Sequence, residues 1–425
     1  MAERSGHVGV MPADADLLDV ILQKQQVHSV FQPLVDLTSE SIIGYEALAR
    51  GPAGPLASPD RLFAAARSAG RLQELDELCR RTAIIDATAA GITAPLTLFV
   101  NVEPEALSLQ SLAELLSLTD TTGRGPQLVL EITERALAFQ PAELFGSVQR
   151  LREAGWRIAL DDVGAVDLSL AFMPLLQPDV IKLDMQLVQS RPDASIAGIM
   201  NAVNAYAEQS GCLLLAEGIE TRQHLAIATS LGAQVGQGWL FGKPSPTAVG
   251  AHSAQPLALP PPGPAATARS PFACLPGTSR LRESTKPLLT QVSKHLERQA
   301  SRLGASCLLL STFQQGEQFT PFTADRYRRL AGTVGFVGVL GDGLTAEPVP
   351  GVRGAHLPPG DPVLQEWDVI VLAPHFAGAL LARDLYTVNA DQERRFQFAL
   401  TYDRDTVEHA ARSLMSRIQP TAPSG

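Results

Sequence analysis

Short apolar runs rich in β-branched and aromatic residues alternate with longer amphipathic stretches from about residue 28 to residue 247. The short runs have the length and composition of buried strands, and the amphipathic stretches have the apolar spacing of helices. The predicted strands are 29–35, 41–46, 96–101, 127–132, 156–161, 179–183, 213–217 and 233–236. The predicted helices are 58–70, 72–90, 141–154, 193–210 and 221–231.

Eight strands that alternate with helices predict an α/β fold in which a parallel sheet closes into a (β/α)₈ TIM-like barrel. An open doubly wound sheet is the alternative. Because no Gly-x-Gly-x-x-Gly follows the first predicted strand, the dinucleotide-binding form of that alternative is disfavoured.

The composition changes after the last predicted strand. Residues 248–278 are rich in Pro, Ala, Gly and Ser, which predicts a semi-rigid linker. Beyond it the pattern resumes as a smaller α/β region, with predicted helices at 284–302, 323–331 and 404–418 and predicted strands at 306–312, 335–340, 367–373 and 396–402. We therefore predict a first domain at 12–247, the linker at 248–278 and a second domain at 279–418.

Charge and cysteine usage restrict the function. The net charge of −10 argues against a protein that coats polymeric nucleic acid. Four scattered cysteines indicate reduced thiols of a cytoplasmic protein. The N-terminus lacks the pattern of a signal peptide, and the most apolar later stretch, 369–382, is too short to span a bilayer. We therefore expect a cytoplasmic location and no membrane span.

Polar side chains recur where the predicted strands of the first domain end. They are Glu46, Asn101, Glu131, Asp161, Asp162, Lys182, Glu217 and Gln237. In a barrel the carboxyl ends of the strands meet on one face, so these side chains are expected to share one basin. Oxygen ligands suit Mg²⁺ or Mn²⁺ better than zinc. Adjacent residues on a strand point to opposite sides, so Asp161 and Asp162 face one site only if the chain bends there.

These residues lie in motifs with a recognisable order and spacing. The motifs are Phe31–Asp36, Glu46-Ala47-Leu48, Val100-Asn101-Val102, Glu131-Ile132-Thr133-Glu134, Asp161-Asp162-Val163-Gly164, Ile181–Asp184, Ala216–Thr221 and Gln237-Gly238-Trp239. With them, residues 28–247 resemble an EAL domain, the cyclic-di-GMP phosphodiesterase family of bacterial second-messenger signalling. The resemblance implies a hydrolase that opens cyclic di-GMP to the linear dinucleotide pGpG with two Mg²⁺ or Mn²⁺ ions.

The resemblance also assigns roles by residue match. The first ion would be held by Glu46, Asn101, Glu131 and Asp161. The second would be held by Asp161, Asp162 and Glu217. Lys182, Glu217 and Glu220 would act in catalysis, and Gln32, Arg50 and Gln237 would bind the substrate. A guanidinium such as that of Arg50 suits two phosphate oxygens.

One loop departs from the family pattern. Residues 163–169 read Val-Gly-Ala-Val-Asp-Leu-Ser where relatives usually have Phe-Gly-Thr-Gly-Tyr-Ser-Ser. In the family this loop controls the second ion and the contact of a homodimer formed through the EAL domain. Glu134, which anchors the loop in relatives, is retained. The altered loop leaves open a second function, a non-catalytic cyclic-di-GMP receptor or adaptor, and a third, a hydrolase of another phosphodiester.

The second domain resembles a DICT sensory domain. The segments on which this resemblance rests are Phe336–Val339, Glu366–Val369, Ala373–Phe376, Ala382–Leu385, Thr401–Arg404 and Ala411–Met415. The resemblance implies an input module that regulates the barrel in response to an unknown signal or partner. From the residues alone, His375 and Trp367 are predicted to be packed core side chains rather than ligand contacts.

Overall fold

The computed structural model describes residues 12–103, 106, 125–133, 141–164, 168–191, 193–248, 256–259, 269–386 and 391–418. Eight strands form a closed barrel in chain order. They are β1 (His28–Asp36), β2 (Ile42–Arg50), β3 (Thr97–Asn101), β4 (Gln127–Thr133), β5 (Arg157–Val163), β6 (Val180–Leu183), β7 (Leu213–Ala216) and β8 (Val235–Gln237). The predicted barrel is thus confirmed, and each predicted strand is present.

The described helices of this half include the five that the sequence predicts. They are α1 (Pro12–Lys24), α2 (Pro59–Ser68), α3 (Leu72–Ala89), α4 (Pro141–Glu153), α5 (Leu168–Leu176), α6 (Met185–Gln189), α7 (Ala194–Ser210) and α8 (Arg222–Ser230). Helices α1, α5 and α6 are additional to the predicted set. Helix α5 is apolar except for Ser169, so it lacks the amphipathic spacing by which the others were recognised.

The barrel sheet is not wholly parallel, which corrects the prediction. Strand β1 runs antiparallel to both β2 and β8, whereas β2 with β3, β3 with β4 and β7 with β8 are parallel. The turn after β1 is tight, because the Asp36 carboxylate accepts bonds from the backbone N–H groups of Thr38 and Ser39. A connection this short permits a hairpin but no crossover, so β1 must reverse direction relative to β2.

A second sheet of seven strands lies in the C-terminal half, in the order β12-β11-β10-β13-β14-β15-β9. Its strands are β9 (Arg282–Thr285), β10 (Leu308–Gln315), β11 (Phe336–Asp342), β12 (Arg353–His356), β13 (Glu366–Ala373), β14 (Phe376–Asp384) and β15 (Arg395–Thr401). Its helices are α9 (Lys286–Leu303), α10 (Pro321–Ala331) and α11 (Arg404–Met415). The predicted smaller α/β region is therefore present.

Strand β14 was not predicted, and its position corrects one residue. It forms a hairpin with β13, in which Ala373 pairs with Phe376. His375 lies in that hairpin turn and is exposed, so the prediction that it is a packed core residue is wrong. Trp367 is half-buried, and its indole packs edge-on against Phe396 with ring centroids 5.5 Å apart.

Helix α5 and strand β6 belong to the same compact unit as the C-terminal sheet. The predicted boundaries at 247, 278 and 418 remain predictions. Within the described residues, no helix is both long and apolar enough to cross a membrane.

Two carboxylates, Glu366 and Asp368, are buried together on β13. Burial raises the pKa of both, and the charge of Glu366 raises the pKa of Asp368 further. A proton carried by Asp368 and donated to Glu366 allows Glu366 to stay ionised. Glu366 in turn accepts bonds from Ser270 Oγ and, at 2.9 Å, from the backbone N–H of Phe272. The pair therefore titrates as a unit.

We expect Asp368→Asn to change how stability depends on pH. The folded wild-type chain holds a proton that the unfolded chain releases near the ordinary pKa of 3.8, so its stability falls as pH rises from there towards the raised pKa. The amide still donates to Glu366 and has no proton to lose. The stability of the variant relative to wild type should therefore increase as pH rises from 5 to 8.

Urea unfolding from pH 5 to pH 8 measures this difference. Asp325→Asn is the control, since Asp325 is exposed and its ion pairs with Arg328 and Arg329 contribute little. A difference between wild type and Asp368→Asn that stays constant or shrinks as pH rises would contradict the shared-proton arrangement.

Candidate metal centre

The end of β5 turns sharply between two adjacent acids. Asp162 has a φ of 59°, in the left-handed region that residues other than glycine rarely adopt. Gly164 follows with a φ of 104°, and a Cβ there would lie 2.6 Å from a methyl group of Leu187. Because a straight strand would direct Asp161 and Asp162 to opposite faces, this turn is what lets both carboxylates face one site. The bend that the sequence required is therefore present.

Three carboxylates converge at this turn. Asp161, Asp162 and Glu217 each offer an oxygen, and these oxygens lie within 4.8 Å of one another. Glu217 directly follows β7, and Gly218 after it has a φ of 65°, which turns the chain away from the strand. Three negative charges this close repel one another unless a positive charge lies among them. An all-oxygen set of this kind fits Mg²⁺ or Mn²⁺.

Lys182 supplies a positive charge on the protein side. It lies on β6, is 1% exposed, and its Nζ is 3.0 Å from Oδ1 of Asp161. An ammonium group this deeply buried needs a paired acid, since an isolated buried charge is strongly unfavourable. Three carboxylates beside one ammonium form a set of groups that suits a divalent cation.

A second cluster of polar side chains surrounds Glu46. The Glu46 carboxylate is 7% exposed and accepts a bond from Asn101 Nδ2 at 2.9 Å and another from Gln237 Nε2 at 2.6 Å. Gln237 Nε2 also donates to Gln32 Oε1 at 3.2 Å. Glu131 is 1% exposed and pairs in register with Asn101 across β3 and β4. The structure thus brings together five of the predicted residues.

The extent of β2 and its pairing with β1 place Glu46 relative to the neighbouring amide side chains. The prediction that Glu46 ends its strand is wrong, because β2 continues to Arg50. In the antiparallel pairing of β1, Gln32 at the middle of the strand lies opposite Glu46, while Leu34 lies opposite Gln237. Strand β1 therefore sets Gln32 beside the amide of Gln237, which itself donates to the Glu46 carboxylate.

The remaining predicted residues are less closely tied to these groups. Arg50 is half-buried and donates through Nη1 to the carbonyl of Ala49 at 2.8 Å. Glu220 is exposed on the turn before α8. Glu134 lies outside the described residues, as do residues 165–167 of the altered loop. The roles assigned to these residues stay predictions.

One residue that the sequence reasoning missed supports the turn after Glu217. His224 Nδ1 lies 3.3 Å from the backbone nitrogen of Glu220 and 3.3 Å from the carbonyl oxygen of Gly218. Its signal in the sequence is Thr221, which caps α8 by accepting a bond from the backbone N–H of His224. Recognition of that cap would have placed His224 in the first turn of the helix.

Comparison with known proteins agrees with this geometry. A family model described as EAL domain matches residues 15–244, more than half of the chain, and the chain belongs to that family. A second model, described as a sensory domain in diguanylate cyclases and two-component systems (DICT), matches residues 275–385. The family and domain order predicted from the sequence are thus confirmed.

Among curated proteins, the chain is similar to cyclic di-GMP phosphodiesterase NbdA of Pseudomonas aeruginosa, with 31% identity over 237 residues, which cover 53% of this chain and 30% of the relative. It is also 31% identical over 230 residues to probable cyclic di-GMP phosphodiesterase PdeB of Escherichia coli, covering 53% of this chain and 44% of that protein. The chain therefore spans less than half of the length of either relative.

Among solved structures, the chain is similar to a manganese and cyclic di-GMP complex of Klebsiella pneumoniae BlrP1. The identity is 26% and the TM-score is 0.45, and the match covers 52% of this chain and 56% of BlrP1.

We expect Asp161→Asn to weaken Mn²⁺ binding by more than about tenfold. Even the mutation of a residue that only hydrogen-bonds to a metal ligand lowers metal affinity about 10- to 100-fold. Titration calorimetry of the purified chain with MnCl₂ measures this. Asp193→Asn is the matched control, since Asp193 caps α7 and asparagine caps a helix equally well. Equal Mn²⁺ affinity in Asp161→Asn and Asp193→Asn would refute the assignment of Asp161 as a ligand.

Proposed function

We propose that the chain hydrolyses cyclic di-GMP to pGpG with two bound Mg²⁺ or Mn²⁺ ions. The observation that carries this proposal is the convergence of Asp161, Asp162 and Glu217 beside buried Lys182 in a barrel of the EAL family. The similarity to NbdA, which is named a cyclic di-GMP phosphodiesterase, supports the choice of substrate.

In this proposal Glu46, Asn101, Glu131 and Asp161 hold one ion, and Asp161, Asp162 and Glu217 hold the other. Bound ions of this kind lower the pKa of a water molecule and neutralise charge on the phosphodiester. An anionic dinucleotide would otherwise be repelled by the same carboxylates.

The chain's own side chains position these groups. Asn101 and Gln237 hold the Glu46 carboxylate in one orientation through its two oxygens. Lys182 pairs with Asp161 and places a fixed positive charge beside the reacting phosphate. Arg50 contacts a phosphate oxygen of the substrate, and Glu220 acts through the water that enters the reaction.

The alternative function is a receptor that binds cyclic di-GMP and leaves it intact. The altered sequence of residues 163–169, which begins at the turn after Asp162, favours keeping this alternative. Both functions require the carboxylates and a divalent ion, so only the fate of the ligand separates them.

The deciding experiment is a product assay. Purified chain is incubated with cyclic di-GMP and MnCl₂, and the nucleotides are separated by chromatography. We expect pGpG to accumulate with wild-type protein and to fall by at least about a hundredfold with Glu46→Ala, because the loss of one metal ligand typically removes several kcal/mol of stabilisation. Intact cyclic di-GMP retained by the wild-type chain after long incubation would establish the receptor instead.

We further propose that the C-terminal domain regulates the barrel through α5, the helix that follows the altered loop. Every described side chain of α5 from Leu170 to Leu176 is buried. A helix that is apolar all round requires cover on all sides. Helix α7, strand β13, the turn at 304–306 and helix α11 all pack against α5.

Three specific contacts join α5 to the C-terminal domain. Phe172 packs edge-on against Phe336 with ring centroids 5.3 Å apart. Arg412 of α11 donates to the carbonyl oxygens of Leu175 and Pro174, at 3.0 Å and 3.1 Å, at the C-terminal end of α5. A positive charge at this end of a helix is favourable, because the last carbonyls of a helix lack partners within it.

The buried carboxylate of Glu408 holds Arg412 in place. Glu408 Oε2 accepts bonds from Arg412 and from Gln177, which follows α5, both at 3.1 Å. Its Oε1 accepts a bond from Arg404 at 3.3 Å. Burial raises the pKa of Glu408, while Arg412 and Arg404 lower it. A change in the C-terminal domain that moves α11 would therefore reach α5 directly.

The two arginines offer a matched pair of variants. Arg412→Gln removes the bonds to α5. Arg404→Gln also removes a partner of Glu408, but the other bonds of Arg404 go to the carbonyls of Ala373 and Pro374 within the C-terminal domain. We expect Arg412→Gln to change the Mn²⁺ affinity or turnover by at least roughly fivefold, the lower end of allosteric coupling energies. Arg404→Gln should leave both values within twofold of wild type.

Turnover measured against MnCl₂ concentration, with thermal unfolding in parallel, separates coupling from destabilisation. If both variants shift turnover equally, the effect reflects stability of the C-terminal domain, and α5 is not the route.

A cytoplasmic location and a homodimer through the EAL domain also remain proposals.

A further inference from the structure

A cavity of about 610 Å³ opens within the C-terminal domain, walled by α9, β10, α10 and β13. Its volume falls in the range of sites that hold small organic molecules, about 300–1,000 Å³. Ser311 and Tyr327 in its wall are almost completely buried, whereas Phe322 and Asp391 in the wall are exposed. The cavity is thus a cleft with a buried interior and an opening to solvent.

Aromatic rings form much of the wall. Phe313 and Tyr327 meet edge-on with centroids 5.8 Å apart. Trp367 is fixed from two sides, because its Nε1 donates to Ser293 Oγ at 3.1 Å and its ring packs against Phe396. Rings held in place in this way offer faces on which a planar ligand can stack with little loss of side-chain freedom.

Of the three acidic residues in the wall, Glu297 and Asp391 are neutralised by ion pairs, and Glu317 is exposed to solvent. Glu297 is 4% exposed and forms an ion pair with Arg326 at 2.7 Å, while Tyr327 Oη lies 3.2 Å from its Oε1. Asp391 is held by Lys286, and the nearby Arg394 pairs with buried Asp384. The buried part of the wall therefore carries little uncompensated negative charge, and the charge of exposed Glu317 is screened by water.

One basic residue in the wall is left over. Lys294 is half-buried on α9, and no acidic group in the part of the chain that the structure describes pairs with it. Lys286, Thr290, Ser293, Lys294 and Glu297 occur at helical spacing, so they share the face of α9 that lines the cavity. A half-buried lysine in a wall that also carries aromatic rings favours an anion, since an opposite charge offsets the lost hydration of its ammonium group.

We propose that this cavity binds a planar aromatic anion, with its ring between Trp367, Phe313 and Tyr327 and its negative group at Lys294. The side-chain amides of Gln314, Gln315 and Gln318, which also line the cavity, provide donors and acceptors for polar atoms on the ring edge. Binding of such a molecule is independent of what the barrel catalyses. Its use as a regulatory signal rests on the proposed function.

The test uses the full chain and a set of matched probes. The first probe is 2-naphthoate, which is planar and anionic. The second, 2-naphthamide, is planar and neutral, and the third, cyclohexanecarboxylate, is anionic without a flat ring. Titration calorimetry should give saturable binding of 2-naphthoate that is at least roughly tenfold tighter than that of either other probe. The amide lacks the charge-assisted bond to Lys294, and the cyclohexane ring cannot stack on the aromatic wall.

Lys294→Gln should remove this preference, so that the variant binds 2-naphthoate and 2-naphthamide with equal affinity. Arg298→Gln is the matched control, since Arg298 is exposed on the same helix and does not line the cavity. It should retain wild-type affinity for all three probes.

Thr290→Trp provides a second variant, which fills the cavity from a half-buried position on α9 and should abolish 2-naphthoate binding. Circular dichroism and thermal unfolding confirm that each variant is folded. Three outcomes would overturn the proposal: no saturable binding of 2-naphthoate to the wild-type chain, unchanged preference in Lys294→Gln, or unchanged affinity in folded Thr290→Trp. Because pGpG formation plays no part in this measurement, its result is separate from that of the product assay.

Discussion

The repulsion among Asp161, Asp162 and Glu217 is the constraint on which the candidate site depends. Their ligand oxygens lie within 4.8 Å of one another, and the structure sets the ammonium of Lys182 beside one of them. Ionised carboxylates held this close repel one another unless positive charge compensates. The left-handed backbone at Asp162 is the local cost of bringing two of these acids to one side, and such strain persists only where the surrounding structure over-determines it.

The surroundings of Glu46 meet a different requirement. Its carboxylate is held by amides, which supply hydrogen bonds without adding charge. An ammonium in their place would pair with the carboxylate and compete with a metal ion for it. The antiparallel first strand contributes a further amide, because it sets Gln32 opposite Glu46, where Gln32 Oε1 accepts a bond from Gln237 Nε2. The departure of the sheet from the all-parallel pattern is thus directly tied to the chemistry of the site.

Much of this arrangement could be predicted from the sequence, since strand-end acids such as Asp161 and Glu217 follow apolar runs that are easy to recognise. What escaped prediction has physical reasons. The direction of β1 depends on the hairpin turn at Asp36 rather than on the apolar pattern, and β14 merges with β13 into one apolar stretch whose short turn carries His375. Helix α5 gave no periodic signal because both the barrel and the C-terminal domain supply its neighbours, so no face of it is polar.

The position of α5 also bears on how two ligand sites in one chain would communicate. Strand β13 contributes Trp367 and Val369 to the wall of the C-terminal cavity, and the same strand packs against α5. Helix α5 in turn lies only a few residues beyond the strained turn at Asp162. If a ligand in the cavity favours one position of α5, and metal binding favours the same one, each ligand must raise the affinity for the other by the same factor. The coupling therefore has to appear in metal binding as well as in turnover, since reciprocity holds for binding free energies and not for rate constants.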